Sequence, residues 1–387
     1  MKRILYVDVP FTGIKDGGAN RSKFIWNSLC CHYEVDWLEI ERDNIPKETG
    51  LPEGMSNHFK LAAETDHRVL NPVIIYRYRE KAEQEFMKIL KQNSYSLVFI
   101  RFLSPVRLGS LVNKFSKDLP VMVDVDMLLS RLSRLSWNQN KSISNRYYLL
   151  ESLKQEKFEN KVFNKPYLFF FTNDQERDLV INKYAYENKE NIKLLPNVMN
   201  DNELLNLPKE QRILFFGTLN SAANSDSLQY IAEDIYPLLE NELEKRDIYL
   251  DVVGRGWNDK FEEIFKGRKR LRYVGEVDNI QEEISKSQIV FLPLRVASGT
   301  RTRILEVANQ AVPVVTTPIG VEGLDLSDKE LVIRETPQKL VEEITVLMDN
   351  KNRRQILGQQ LRLKSRTLYL AENVSERLID FIETRWK

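Results

Sequence analysis

The sequence predicts two doubly wound α/β domains in series, each a parallel sheet covered by helices. Three observations carry that prediction. Short apolar runs rich in β-branched and aromatic residues alternate with longer stretches of helical period, the pattern of parallel strands joined by helices. The alternation begins twice, at Arg3 and again at Arg212, with a polar stretch punctuated by Asn and Pro in between. The 387 residues are also more than one hydrophobic core of ordinary size organises.

In the first half the apolar runs place strands at 3–8, 34–39, 97–102, 121–126 and 167–171. Segments 77–90 and 146–163 read as amphipathic helices. Residues 42–67 show little periodicity and read as irregular, either a substrate-facing excursion or a plain insertion. The second series places strands at 212–216, 249–253, 271–274, 289–292, 312–316 and 330–333, with helices starting near Asn224, Asp259, Asn279, Arg301 and Pro337. Beyond Leu347 the chain is almost entirely helix-forming, over 351–367 and 371–386. No strand follows, so a terminal helix must find its apolar partner elsewhere, which lying back across the first domain provides. The expected division is 1–207 for an N-terminal domain, 208–370 for a C-terminal domain and 371–387 for the returning helix.

Composition narrows the function. With 57 Lys+Arg against 56 Asp+Glu the net charge is +1, which supplies no global field for nucleic acid or an anionic membrane and leaves only a local basic patch open. Cys30 and Cys31 are adjacent on an amphipathic stretch, which makes neither a disulfide framework nor a metal cluster, and they read as small buried apolar residues. His32, His58 and His67 all fall in the first half, where solvent-facing or packing roles are expected, so no metal is expected. The opening run Ile4-Leu5-Tyr6-Val7 stops at Asp8, far short of a signal-peptide core or a membrane span, and gives a cytoplasmic expectation.

Chemistry in an open parallel sheet is expected outside the carboxyl ends of the strands, where helix N-termini present unpaired N–H groups. In the first half that turn runs through Gly17-Gly18 into a helix carrying Arg21. The glycine pair lets a ligand approach the backbone and Arg21 is placed to meet an anion. In the second half Phe216-Gly217-Thr218 and Val253-Gly254-Arg255-Gly256 are glycine turns at successive strand ends. Backbone amides and Arg255 around one crevice suit a pyrophosphate. The spacing does not match a dinucleotide fingerprint, which disfavours hydride transfer.

The most informative segment is Phe291-Leu292-Pro293-Leu294-Arg295, then Ser298-Gly299-Thr300-Arg301-Thr302-Arg303-Ile304-Leu305-Glu306. It reads as a buried strand, a Ser-Gly-Thr turn and a helix whose first turn carries Arg301 and Arg303. Cations there oppose the helix macrodipole, a local cost that an anion offsets. Glu306, one turn on, is placed to accept hydrogen bonds from ribose hydroxyls.

At these residues the chain resembles the retaining family-4, or group 1, glycosyltransferases of GT-B architecture. The resemblance is closest over 293–324, through Pro293-Leu294-Arg295, Ser298-Gly299-Thr300-Arg301, Ile304-Leu305-Glu306, Pro313-Val314-Val315 and Thr317-Pro318-Ile319-Gly320. It extends more weakly to Gly17-Gly18, Arg21, Asp124-Val125-Asp126, Pro196-Asn197, Asn224 and Asp226. It implies two facing doubly wound domains, a nucleotide-sugar donor (UDP-, GDP- or ADP-linked) used as substrate with no cofactor, and a glycan or lipid-linked acceptor. A weak peripheral contact with the inner membrane face is compatible with such an acceptor.

The family carries two glutamates eight positions apart, the first facing the donor sugar and the second its ribose. Glu306 matches the second, whereas Ser298 stands at the first. Relatives also hold phosphates with an Arg and a Lys after the first strand of this domain, and Asn220-Ser221-Ala222-Ala223 supplies neither. Arg255, Arg301 and Arg303 are the substitutes, with Arg303 the preferred group for the leaving phosphate and Asp126 the choice for the acceptor hydroxyl. Two competing readings share the nucleotide site, a GT-B nucleotide-sugar epimerase and a non-catalytic nucleotide-sugar-binding partner of a glycan-assembly complex.

Overall fold

The computed structural model describes residues 2–12, 17–41, 50–65, 75–139, 146–184, 187–258, 261–296 and 301–385. The chain divides into two compact units, Met1–Asn197 joined by Val374–Lys387, and Val198–Asn373.

The first unit runs β1 (Arg3–Asp8), α1 (Gly17–Cys30), β2 (Glu34–Glu41), β3 (Met55–Ala62), β4 (Glu64–Thr65), β5 (Tyr76–Arg77), α2 (Glu80–Gln92), β6 (Leu97–Arg101), α3 (Arg107–Phe115), β7 (Val121–Val125), α4 (Leu129–Gln139), α5 (Arg146–Phe163), β8 (Leu168–Phe171), α6 (Asp174–Lys183) and β9 (Ile192–Leu194). Seven strands form one sheet in the order β3-β2-β1-β6-β7-β8-β9, every pair parallel. β6 and β7 are buried at every position. Burial on both faces is why they read as unbroken apolar runs.

Strand β3 corrects the irregular reading of 42–67, of which 42–49 and 66–67 lie outside the described residues. It is an edge strand with one fully buried side chain, Leu61, so no apolar alternation marks it. Polar pairs with β2 hold it instead. Asn57 donates to Asp36 at 3.0 Å, and His58 lies 2.7 Å from Glu39 while stacking on Trp37. Cys31 is exposed and Cys30 half-buried, because the helix ends beneath them, so the expected burial does not hold for Cys31.

The second unit runs β10 (Arg212–Phe216), α7 (Ala222–Tyr230), a π-turn (Ile231–Ile235), α8 (Tyr236–Lys245), β11 (Tyr249–Val253), α9 (Glu262–Phe265), β12 (Leu271–Gly275), α10 (Ile280–Lys286), β13 (Ile289–Leu292), α11 (Thr302–Asn309), β14 (Val314–Thr316), α12 (Pro318–Val321), β15 (Val332–Ile333), α13 (Pro337–Asp349) and α14 (Lys351–Tyr369). Its six strands are parallel in the order β12-β11-β10-β13-β14-β15. Strand order reverses at β10, as it does at β1 in the first unit, and a crevice forms outside the carboxyl ends at such a reversal.

Local chemistry sets the helix starts. The Thr336 hydroxyl accepts from the Lys339 N–H with Pro337 at the first helical position, and Asn350 accepts from the Arg353 N–H. Gly358 lets α14 pass over the turn after α11, since a Cβ there would lie 1.9 Å from the Ala311 carbonyl oxygen. The last helix, α15 (Ala371–Arg385), buries Val374, Leu378 and Ile382 one turn apart. It packs on the first unit, where Phe381 meets Phe170 and the Tyr33 hydroxyl donates to Glu383 at 2.9 Å. Among the described residues no helix is long and apolar enough to cross a membrane.

Candidate active site

In the second unit the ends of β10 and β11 touch at two glycines. A Cβ on Gly254 would fall 1.8 Å from the carbonyl oxygen of Gly217, and both glycines have positive φ, +154° and +146°. Only glycine allows that approach. The amides of the two turns, however, continue the sheet. The N–H of Gly217 donates to Val253, that of Leu219 to Arg255 and that of Gly254 to Gly275. These three amides are committed to the strand ends, so of the expected phosphate donors in the two turns Gly217 and Gly254 contribute closeness rather than N–H groups.

The side chains beside Gly217 come from α7 and α11. Asn224 donates from Nδ2 to the Thr218 carbonyl at 2.8 Å, while its buried Oδ1 has no hydrogen-bond partner among the described residues. Arg303 donates from Nη1 to the Phe216 carbonyl at 2.7 Å. Arg295 forks onto Asp226 and covers the Tyr230 ring, which fixes the end of β13 against α7.

Arg303 and Glu306 form the electrostatic centre of this cluster, three residues apart on α11. Burial lowers the Arg303 guanidinium to about 10, with Glu306 opposing the shift and Arg301 adding to it. Burial likewise pushes the Glu306 carboxyl up to about 7, partly offset by Arg303. Both groups are held where water stabilises them poorly, and neither fully compensates the other. No described residue hydrogen-bonds the Glu306 carboxylate.

Arg301 departs from its expected role. It is the N-cap of α11, and its side chain turns toward α12, donating from Nε to the Ile319 carbonyl at 2.9 Å and from Nη2 to Glu322 at 3.2 Å. Its charge is therefore already met by a carboxylate. Arg255 is exposed, and no described residue pairs with its side chain. Ser298, Gly299 and Thr300 lie outside the described residues.

In the first unit the carboxyl ends of β1, β6 and β7 carry a buried charged cluster of Asp8, Arg101 and Asp124, with Asp126 beside it. Arg21 belongs to it structurally, which corrects the expectation that this guanidinium awaits an anion. Its Nε and Nη2 fork onto Asp124, Nη2 also reaches the Leu195 carbonyl, and Nη1 reaches Pro196 and Asn197. All five N–H groups are thereby used. Gly17 and Gly18 belong to the first turn of α1, two residues ahead of the start at Ala19 that the sequence suggests, and the Gly18 carbonyl accepts from Arg101 at 3.3 Å.

Asp126 follows the end of β7, is partly exposed and lies 3.7 Å from Arg101. Sequence reasoning missed Arg101 and gave Asp8 no role. Burial pushes the Asp8 carboxyl up to about 6, against the opposing Arg101 charge and hydrogen bonds. Phe102, next to Arg101, is held at φ +69° with its ring 3.9 Å from that guanidinium. The available signal was a charge at or one residue before the end of each of three buried apolar runs, at Asp8, Arg101 and Asp124. Among the described residues no group of three or more His, Cys, Asp or Glu could hold a metal ion.

Comparison with known proteins completes the description. Residues 210–350 match the family described as glycosyl transferases group 1. No curated protein matches the sequence. In structure the chain is similar to a glycosyltransferase from Rickettsia africae, at TM-score 0.70 and 13% identity, covering 100% of this chain and 99% of that one. It is also similar to TarM of S. aureus (TM-score 0.66, 11% identity, 99% of each chain). HepE of Anabaena, solved in complex with UDP-glucose, aligns at TM-score 0.63 and 12% identity over 99% of this chain and 100% of its own. At these identities the likeness is one of fold, the two Rossmann-like domains of GT-B glycosyltransferases.

Proposed function

We propose that this chain, whose residues 210–350 match the group 1 glycosyltransferase family, moves a sugar from a nucleotide-linked donor held by the second unit to an acceptor hydroxyl, with retention at the anomeric carbon. The observation that carries the reading is Arg303 and Glu306, half-buried and one turn apart on α11, with Arg303 bonded to the carboxyl end of β10. A nucleoside diphosphate presents the matching parts. Its pyrophosphate meets Arg303 and the exposed Arg255, and its ribose hydroxyls donate to Glu306. HepE, solved with UDP and with UDP-glucose, supports uridine diphosphate as the leaving group.

In this reading the bond from the anomeric carbon to the β-phosphate oxygen breaks as the acceptor oxygen bonds to the same face of that carbon. The acceptor proton passes to the departing phosphate oxygen. Negative charge grows on the leaving group, so a guanidinium fixed beside it stabilises the transition state more than the bound donor. The first unit takes the acceptor, a glycan or lipid-linked hydroxyl, with Asp126 contacting it. A weak, peripheral membrane contact belongs to the same reading, as does a place in glycan assembly.

The test is to incubate the purified full chain with UDP-, GDP- and ADP-linked hexoses and follow nucleoside diphosphate release. Slow hydrolysis of one donor, accelerated by acceptor, is expected. Neither binding nor turnover of any of the three would remove the proposal.

A further inference from the structure

Helix α5 presents one face that neither core absorbs. Its inward side buries Ser152, Gln155, Glu159, Val162 and Phe163. The opposite side carries Tyr147, Leu150 and Leu153, which are 50%, 61% and 51% exposed. At helical spacing these residues line up with Lys154, Lys157 and Lys161, because positions three and four apart share a face. An apolar patch thus runs directly into a cationic one along a single helix.

The cationic end is concave. A pocket of about 370 Å³ lies between α5 and α3, rimmed by Arg107, Lys157, Lys161 and Lys165 and floored by Phe158 and Tyr167. No acidic residue lines it among the described residues. Of the nearby carboxylates of α5, two are engaged away from this face and the third holds Lys154, which leaves Lys157, Lys161 and Lys165 as the lysines of the rim. Glu159 accepts from the N–H and hydroxyl of Ser130, Glu156 pairs with Arg134 and Lys183, and Glu151 pairs with Lys154. In a chain whose net charge is +1, this is a concentrated positive surface.

We infer that this face of α5 docks on a bilayer containing anionic phospholipid, with Tyr147, Leu150 and Leu153 in the acyl boundary and the lysine-rimmed pocket on a phosphate headgroup. Exposed aromatic and aliphatic residues continuous with lysines are the composition that lies in a membrane interface. A protein partner fits less well, since protein interface cores are depleted in lysine. The inference extends the membrane contact proposed above. Its test uses neither donor nor acceptor, so its failure and that of the transferase reading are distinguishable.

The experiment is co-sedimentation of the full chain with vesicles of phosphatidylcholine, alone or mixed with phosphatidylglycerol, at low and high salt. Binding to the mixed vesicles that weakens with salt is expected. A basic residue near an anionic surface contributes roughly a factor of five, so the Lys157→Glu/Lys161→Glu variant should bind on the order of thirtyfold more weakly, or worse. Leu150→Ser/Leu153→Ser should also lose binding, whereas Leu363→Ser, a still more exposed apolar site on α14, should not. These side chains are exposed, so thermal unfolding should show all variants folded. Absence of wild-type binding to the mixed vesicles at low salt, or face variants that bind like wild type, would overturn the inference, and the first result would leave an acidic protein as the better partner.

Discussion

The guanidinium of Arg303 is anchored by the carbonyl oxygen of Phe216, 2.7 Å from Nη1, so the first turn of α11 is tied to the end of β10. One N–H of Arg303 is thereby fixed, and no other described residue takes a hydrogen bond from it. Arg303→Ala should lower kcat by about 10²-fold, the usual loss for one preorganised donor at a developing charge, with a smaller change in donor affinity. Steady-state kinetics with the active donor checks the split. A loss confined to KM would place Arg303 in ground-state binding alone.

Glu306 gives the site a pH dependence whose sign is fixed. Burial raises its carboxyl to about 7 in the free protein, and the carboxylate accepts from two ribose hydroxyls more strongly than the neutral acid, which keeps one oxygen protonated. Affinity for nucleoside diphosphate should therefore be full above that pH and fall as pH drops through it. Glu306→Gln should weaken binding by about 1.5–3 kcal/mol above pH 7 and lose this component of the profile. Calorimetric titration of both proteins across pH separates it from the nucleotide's own ionisation, which the two share. Parallel profiles would show that Glu306 does not meet the ligand.

Gly254 and Gly267 both have positive φ, but only Gly254 has a backbone atom where a Cβ would go. Alanine at Gly267 should cost about 1–3 kcal/mol of backbone strain, and alanine at Gly254 distinctly more. Urea unfolding of the two variants compares them, and equal losses would mean that β10 and β11 part at their ends without cost.

Asp124 is the counter-charge of two buried arginines, Arg21 and Arg101, at 2.5 and 2.8 Å. Asp124→Asn leaves both under-compensated and should destabilise the chain by about 3–5 kcal/mol. Unchanged denaturant stability would contradict the structural role of Arg21 and return it to the set of groups open to a ligand.

What the sequence revealed follows from burial. Strands covered on both faces, such as β6, β7, β10 and β13, are continuous apolar runs and were legible almost to the residue. β3 was not, because an edge strand held by Asn57, His58 and Lys60 lacks apolar alternation. Spacing placed Arg303 and Glu306 on one helix turn and the two glycine turns on neighbouring strands. It did not reveal where each arginine points. Arg21 and Arg301 are satisfied by carboxylates distant in sequence, and the amides of Gly217, Leu219 and Gly254 by neighbouring strand ends, which are tertiary facts no local pattern encodes.

Hydrogen–deuterium exchange of the full chain with and without UDP tests most directly whether the second unit is the nucleotide site. UDP should protect the strand ends and helix start around Phe216–Gly217, Val253–Arg255 and Arg301–Glu306, and leave the ends of β1, β6 and β7 unchanged. Protection confined to the first unit, or none anywhere at saturating UDP, GDP or ADP, would contradict the account.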